Sequence, residues 1–194
     1  MERKRLTLLI ILGVVIFVAA FVMNGYNSLV MGQERVKKTW GDVQTQYQRR
    51  VDLIGNVVET AKGSANFEQE TLRMVVEARS AWAKASSAGN LSDQIRGANE
   101  AAPLVNSALS RLLVTVEAYP QLGSVATFRD VITELEGTEN RISVARRDFN
   151  GAVQNYNVKV RQFPSSLIAG MFGFDMMENF RADEGADKAP KVEF

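Results

Sequence analysis

Residues 128–163 read FRDVITELEGTENRISVARRDFNGAVQNYNVKVRQF, and their apolar spacing decides the fold class. Phe128, Val131, Leu135, Ile142, Ala145, Phe149, Val153, Tyr156, Val160 and Phe163 advance by threes and fours, with Thr138 filling the one gap. A period of about 3.6 residues puts them on one helix face, whereas a strand would need a period of two. Leu91, Ile95, Ala98, Ala102, Val105, Leu109, Leu112, Val116 and Tyr119 keep the same rhythm, as do Trp40, Val43, Tyr47, Val51, Ile54, Val58 and Ala61. The stretch 67–88 is weaker, with Leu72, Val75, Val76, Trp82 and Ala85 on its apolar side. No run alternates strictly between turn residues, so no sheet is expected. The pattern predicts an all-α chain whose helices pack antiparallel at a shallow angle.

The breaks are short. Lys62-Gly63-Ser64 offers a C-terminal cap, Asn66 with Gln69 has capping-box spacing, and Ser86–Asn90 is a loop after which Ser92 can cap the next helix. Tyr119–Ser124 is a further stop, and Phe163-Pro164 ends the last long run. Pro103 lies inside a helical pattern and predicts either a kink or a later helix start. The predicted helices cover 27–63, 66–87, 92–118 and 125–162, a four-helix bundle over residues 24–163. The first and fourth are the longest, so they are expected to pair alone as a stalk beside a membrane, with all four bundling farther out.

That membrane is implied by Leu6–Met23, LTLLIILGVVIFVAAFVM, which carries no charge. As a helix it reaches about 27 Å, close to the ~30 Å bilayer core. Residues 1–5 form a basic flank with Arg3, Lys4 and Arg5. Val18-Ala19-Ala20 resembles a signal-peptide cleavage site, but the apolar run exceeds the ~7–15 residues usual there. A buried core helix of this kind would leave too little chain to cover it. The reading is an uncleaved, single-pass anchor with its N-terminus in the cytoplasm and the bundle outside. Arg35, Lys37 and Lys38 beyond the span weaken the charge bias for that orientation.

The 194 residues suit one domain, or one domain plus an anchor. Lys and Arg total 23 against 22 Asp and Glu, and without residues 1–23 the body holds 20 against 21. A neutral body lacks the basic face a nucleic-acid binder needs. Cysteine and histidine are absent, which excludes disulfides, thiolate metal sites, imidazole ligands and imidazole catalysis. Neither glycine-rich phosphate-loop pattern occurs. Glu68/Glu70 and Glu134/Glu136 are two apart and point to different helix faces. A Ser–Lys dyad is chemically open, but nothing places one in a pocket. No catalytic residue, metal or cofactor is therefore expected, and the chain is read as a non-enzyme.

Polar residues close to the seams are the remaining candidates. They are Gln46, Arg49, Arg50, Asp52 and Asn56 on the first body helix, Arg79 on the second, and Glu139, Arg146, Asn150 and Asn157 on the fourth. Arg79 falls four residues after Val75 and three before Trp82, so it is expected to lean inward toward Glu139 or Asp52. A structural network, a solvated face and a ligand site all remain open for this group. Residues 164–181 form an apolar segment near the membrane. Leu167, Ile168, Met171, Phe172, Phe174, Met176, Met177 and Phe180 are its candidate membrane or partner contacts. It docks on the stalk, on a second copy or in the headgroup layer, or closes the bundle. Residues 182–194 are polar and expected to be disordered.

In order, these residues resemble the LemA family. Tyr26-Asn27-Ser28-Leu29-Val30 is followed by Val36, Trp40, Val43, Gln46, Arg49-Arg50, Asp52-Leu53-Ile54 and Asn56-Val57-Val58-Glu59-Thr60. Ala78-Arg79, Tyr119-Pro120, Leu122, Thr138-Glu139, Arg141-Ile142, Ala145-Arg146, Asn150, Tyr156-Asn157, Phe163-Pro164 and Gly173-Phe174 continue the match to about residue 181. Gly55 departs from it, because the family commonly has Pro after the Leu-Ile pair. The resemblance implies a bacterial, membrane-anchored, antiparallel helical protein, from a family with no defined chemistry and no catalytic residues to carry over. Members are linked to membrane-associated processes. The expected role is a self-associating scaffold or interaction protein of the bacterial inner membrane, with lipid, a second copy and an envelope protein as partners and no nucleic acid. A ligand- or lipid-binding bundle using the Arg and Asn residues between helices is the alternative.

Overall fold

The computed structural model describes residues 2–61, 68–117 and 126–181. Five helices and no strand occur among the described residues: α1 (Glu2–Ala61), α2 (Gln69–Ser86), α3 (Leu91–Glu117), α4 (Ala126–Arg161) and α5 (Ser165–Phe172). The predicted breaks at Lys62–Ser64 and Tyr119–Ser124, the Asn66 cap, the tail 182–194 and the side chains of Ala61 and Phe128 lie outside the described residues. The apolar run and the first body helix, predicted as separate spans, are one helix of 60 residues. Gly25 does not end it, since a helical Gly costs about 1 kcal/mol relative to Ala and Leu29 and Val36 soon return to buried positions. The chain divides into two compact units.

The second unit comprises Thr39–Asn150 and the described residues from Glu178 onward, so segments of α1, α2, α3 and α4 meet in it as four helices. Its core is the predicted seam: Trp40, Val43, Tyr47, Val51 and Ile54 from α1, Val75 and Trp82 from α2, Ile95, Val105 and Leu112 from α3, and Leu135, Ile142 and Phe149 from α4. Thr138, which fills the gap in the seam, is buried and donates its hydroxyl to the Leu135 carbonyl at 2.6 Å. The helix α3 continues through Pro103, which is exposed, and begins at Leu91. Its cap is Asn90 rather than the expected Ser92. The Asp93 amide donates to Asn90 Oδ1 at 2.8 Å, and Asn90 Nδ2 donates back to the Asp93 carboxylate at 2.6 Å. An Asn side chain just before the first helical residue reaches the third amide, which Ser92, already inside the helix, cannot serve in that way.

The first unit comprises Met1–Lys38 and Gly151–Met177, where α1 and α4 pair without α2 or α3 and α5 closes the pairing. Small residues on α1 admit the partners closely. A Cβ at Gly32 would meet the Tyr156 ring at 3.1 Å, and one at Gly25 would collide with Ile168 Cδ1. Between them Lys159 Nζ donates to Ser28 Oγ at 3.1 Å. Gly173 ends α5 in the left-handed region at φ 71°, which lets the Phe174 amide donate to the Ala169 carbonyl at 2.9 Å. Residues 3–21 of α1 are exposed throughout, and α1 is long and apolar enough to cross a membrane.

Candidate functional site

Three arrangements of the candidate residues stand out. The first is a polar knot around Arg50 in the second unit. Arg50 follows Tyr47 by three and precedes Ile54 by four, so the helical period carries it inward, and it is 1% exposed. Its Nε donates to Thr138 Oγ1 at 2.9 Å, Nη1 to Asn106 Oδ1 at 2.9 Å and Nη2 to Glu139 Oε2 at 2.6 Å. Three acceptors from α3 and α4 thus meet one planar fork from α1, the geometry for which guanidinium is suited. Glu139 remains exposed and keeps its water, which limits the desolvation cost to the arginine side of the pair.

Arg79 is placed differently from the expectation, whereas Arg49, Asp52 and Asn56 take the solvated face left open for them. Arg79 does not enter the core: it is exposed, and its guanidinium covers Gly55, where a Cβ would come within 2.9 Å of Nη1. Glu139, expected as its partner, is held by Arg50. Asp52 is exposed and accepts from Gln48 Nε2 at 2.9 Å. Arg49 is exposed and pairs with Glu134 of α4, and Asn56 is exposed too. Asn106 joins the knot but carried no signal in the sequence beyond lying next to Val105 of the seam.

The second arrangement is a set of asparagine clamps on the segment after α5. In the first unit Asn157 Nδ2 donates to the Met177 carbonyl and Oδ1 accepts the Met177 amide, both at 2.9 Å. In the second unit Asn150 does the same to Phe180, at 2.9 and 2.8 Å. Asn150 and Asn157 are seven residues apart, two helical turns, and so share one face of α4. Asn99 of α3 accepts the Arg181 amide at 2.9 Å and donates to the Asn179 carbonyl at 3.3 Å. Phe180 is 3% exposed, with its ring 5.7 Å from Tyr47 and 6.3 Å from Trp40. The Arg146 guanidinium lies 4.7 Å over that ring and also donates to the Arg181 carbonyl. Phe180 is therefore core, not a contact for lipid or partner.

The third arrangement is α5 itself. Ile168 is buried with Ala169 against Leu29. Tyr26 meets the rings of Phe172 and Phe174 edge-on, at 5.0 and 5.5 Å. Phe174 and Met177 are half-buried, whereas Leu167, Met171, Phe172 and Met176 are exposed. The eight apolar candidates thus divide into a buried or half-buried set that attaches the segment and an exposed set, of which Phe172 still meets Tyr26 edge-on.

Tyr156, buried behind this attachment, has its phenol pushed above its ordinary value, first by burial and then by the Asp175 carboxylate. Glu68, at the start of α2, has its carboxyl held below its ordinary value, chiefly by the hydrogen bond from Arg111 of α3.

The described residues define a helical protein with an N-terminal helix long and apolar enough to cross a membrane. The family model for the LemA family matches residues 39–194, and the chain belongs to that family. It is 27% identical over 196 residues to magnetosome protein MamQ 2 of Paramagnetospirillum magneticum, covering 91% of this chain and 72% of that one. It is 26% identical, with the same coverage, to magnetosome protein MamQ of Magnetospirillum gryphiswaldense. Against protein LemA of Metamycoplasma hominis it is 24% identical over 183 residues, covering 94% of this chain and 80% of the relative.

Proposed function

We propose that this protein is a membrane-anchored helical scaffold of the bacterial envelope. Residues 6–23 cross the inner membrane, the N-terminus stays in the cytoplasm, and the four-helix unit is presented outside to a second copy or to another envelope protein. The observation that carries this reading is the apolar run of α1: from Leu6 through Phe21 it is exposed among the described residues, yet the helix continues without a break into buried positions. An uncharged, largely apolar run of 18 residues that is exposed from Leu6 through Phe21 is stable in hydrocarbon and costly in water. Membership of the LemA family agrees with an anchored helical protein lacking defined chemistry. An open groove on α2 and α3 is lined by Leu72, Val76 and Leu104 together with Arg73, Glu77 and Lys84, the mixture of apolar and charged groups that an interaction surface uses.

Alkaline carbonate washing of vesicles is expected to leave the full chain in the membrane, and its release intact would remove the anchor. Crosslinking in native membranes followed by mass spectrometry is expected to report contacts between copies and with envelope neighbours. A chain that runs as a monomer in detergent at every concentration and captures nothing is not a scaffold.

A further inference from the structure

We propose that α5 is a second membrane contact: an interfacial helix lying in the lipid headgroup layer beside the anchor. The inference rests on residues 6–23 spanning the bilayer, and it concerns the first unit alone. Descent along α4 is descent along α1 toward the apolar run: Tyr156 packs at Gly32, Lys159 bonds Ser28, and Ile168 covers Gly25. The attachment of α5 thus lies two residues beyond Met23, about 3 Å along the helix axis. A helix held there sits where hydrocarbon gives way to headgroups.

The chemistry of its free face fits lipid better than protein. No charged residue occurs between Gln162 and Phe174. The hydroxyl of Ser165 is turned back onto the Lys159 and Gln162 carbonyls at 2.6 and 2.9 Å. Leu167 and Met171, four apart and so on one face, are 61% and 73% exposed, and Phe163 at the turn before α5 is 76% exposed. A protein partner of ordinary kind needs polar groups around such a patch, about one hydrogen bond per 100–200 Å². The outer face of α5 has no charge to offer, and acyl chains require none. Tyr26, half apolar and half polar, stands at the same level, the usual place for an interfacial aromatic.

The chain contains no cysteine, so a single introduced thiol is a unique label site. Leu167→Cys, Met171→Cys, Leu12→Cys and Ser80→Cys would each carry an environment-sensitive NBD fluorophore. The full-length chains are reconstituted into phosphatidylcholine–phosphatidylglycerol vesicles. Nitroxides near the headgroup should quench the probes at 167 and 171, with blue-shifted emission, while aqueous iodide should not. Nitroxides deep in the acyl chain should quench the probe at 12, and iodide the probe at 80. If 12 is quenched from the lipid but 167 and 171 answer to iodide, α5 lies outside the bilayer and the anchor stands. If 12 is not quenched from the lipid, the anchor and this inference both fall. Shielding at 167 that vanishes as lipid is added in excess, with 167–167 disulfides on oxidation, would show a second copy covering the face and overturn the inference.

Discussion

Arg50 takes a permanent charge into a helical core, and its three hydrogen bonds make that position tolerable. Replacing it with Met would take the Arg50 donor from the buried Thr138 hydroxyl and from the half-buried Asn106 carbonyl. The expected loss is about 2–4 kcal/mol, since the exposed Glu139 can return to water. Urea unfolding followed by circular dichroism measures it, and Arg50→Lys should recover only part, because an ammonium cannot meet three acceptors in one plane. Arg79→Met, in contrast, should change stability by well under ~1 kcal/mol. Phe180 is the second sensitive residue. Phe180→Ala empties the space between Trp40 and Tyr47 and is expected to cost about 3–5 kcal/mol. Hydrogen exchange at Asn179–Arg181 should rise in the same variant, because the clamps of Asn99 and Asn150 hold a backbone that its anchoring ring has left. Arg50 and Arg79 have equivalent seam spacing, so local pattern could not rank them. Thr138, Asn106 and Glu139 receive one, whereas the other lies across a glycine.

Among the elements, α2 and α3 depend on a close approach. A Cβ at Gly97 would lie 3.0 Å from Ala85 Cβ and 3.1 Å from its Cα, so the obstacle is backbone that cannot swing away. Gly97→Leu is expected to destabilise the chain by about 1–3 kcal/mol despite the better helix propensity of Leu, measured as a lowered urea midpoint. Glu68 ties the same pair at their other end, through Arg111, Thr71 and Thr115. Its folded carboxyl titrates below its unfolded value, so its contribution is present above the unfolded value and lost as pH falls through the folded one. Glu68→Gln should therefore flatten part of the acid limb of the stability–pH curve. The effect will be small, since both partners are exposed to solvent. If the curve is unchanged, the ion pair contributes nothing to holding α2 on α3.

If residues 6–23 span the bilayer as proposed, the decisive quantity for the whole molecule is the free energy of transferring the apolar run into hydrocarbon. A span of this length makes insertion effectively irreversible, unlike a single surface helix or lipid chain. The orientation proposed for it predicts that Ser80→Cys on α2 reacts with a membrane-impermeant maleimide in spheroplasts before lysis. Labelling that appears only after lysis would put the four-helix unit in the cytoplasm. Lys37, Lys38 and Arg35 follow the span closely, and replacing all three with Gln should strengthen the outward bias in that assay.

The helical class, the apolar run, the seams of α1, α3 and α4 apart from the exposed Phe163, and the exclusion of thiol and imidazole chemistry could be read from sequence alone. Each is a property of residue types or of spacing within a few turns, where the period of the backbone does the sorting. Tertiary structure decided the rest. It chose Arg50 over Arg79, joined it to Thr138 and Glu139 at separations of 88 and 89 residues, and brought Asn99 to Arg181 at a separation of 82. It also placed Phe180 in the core while leaving Leu167 and Met171 outside. Such pairings depend on how far one helix slides along another, and that register is set by the sum of many small contacts that no single stretch of chain contains.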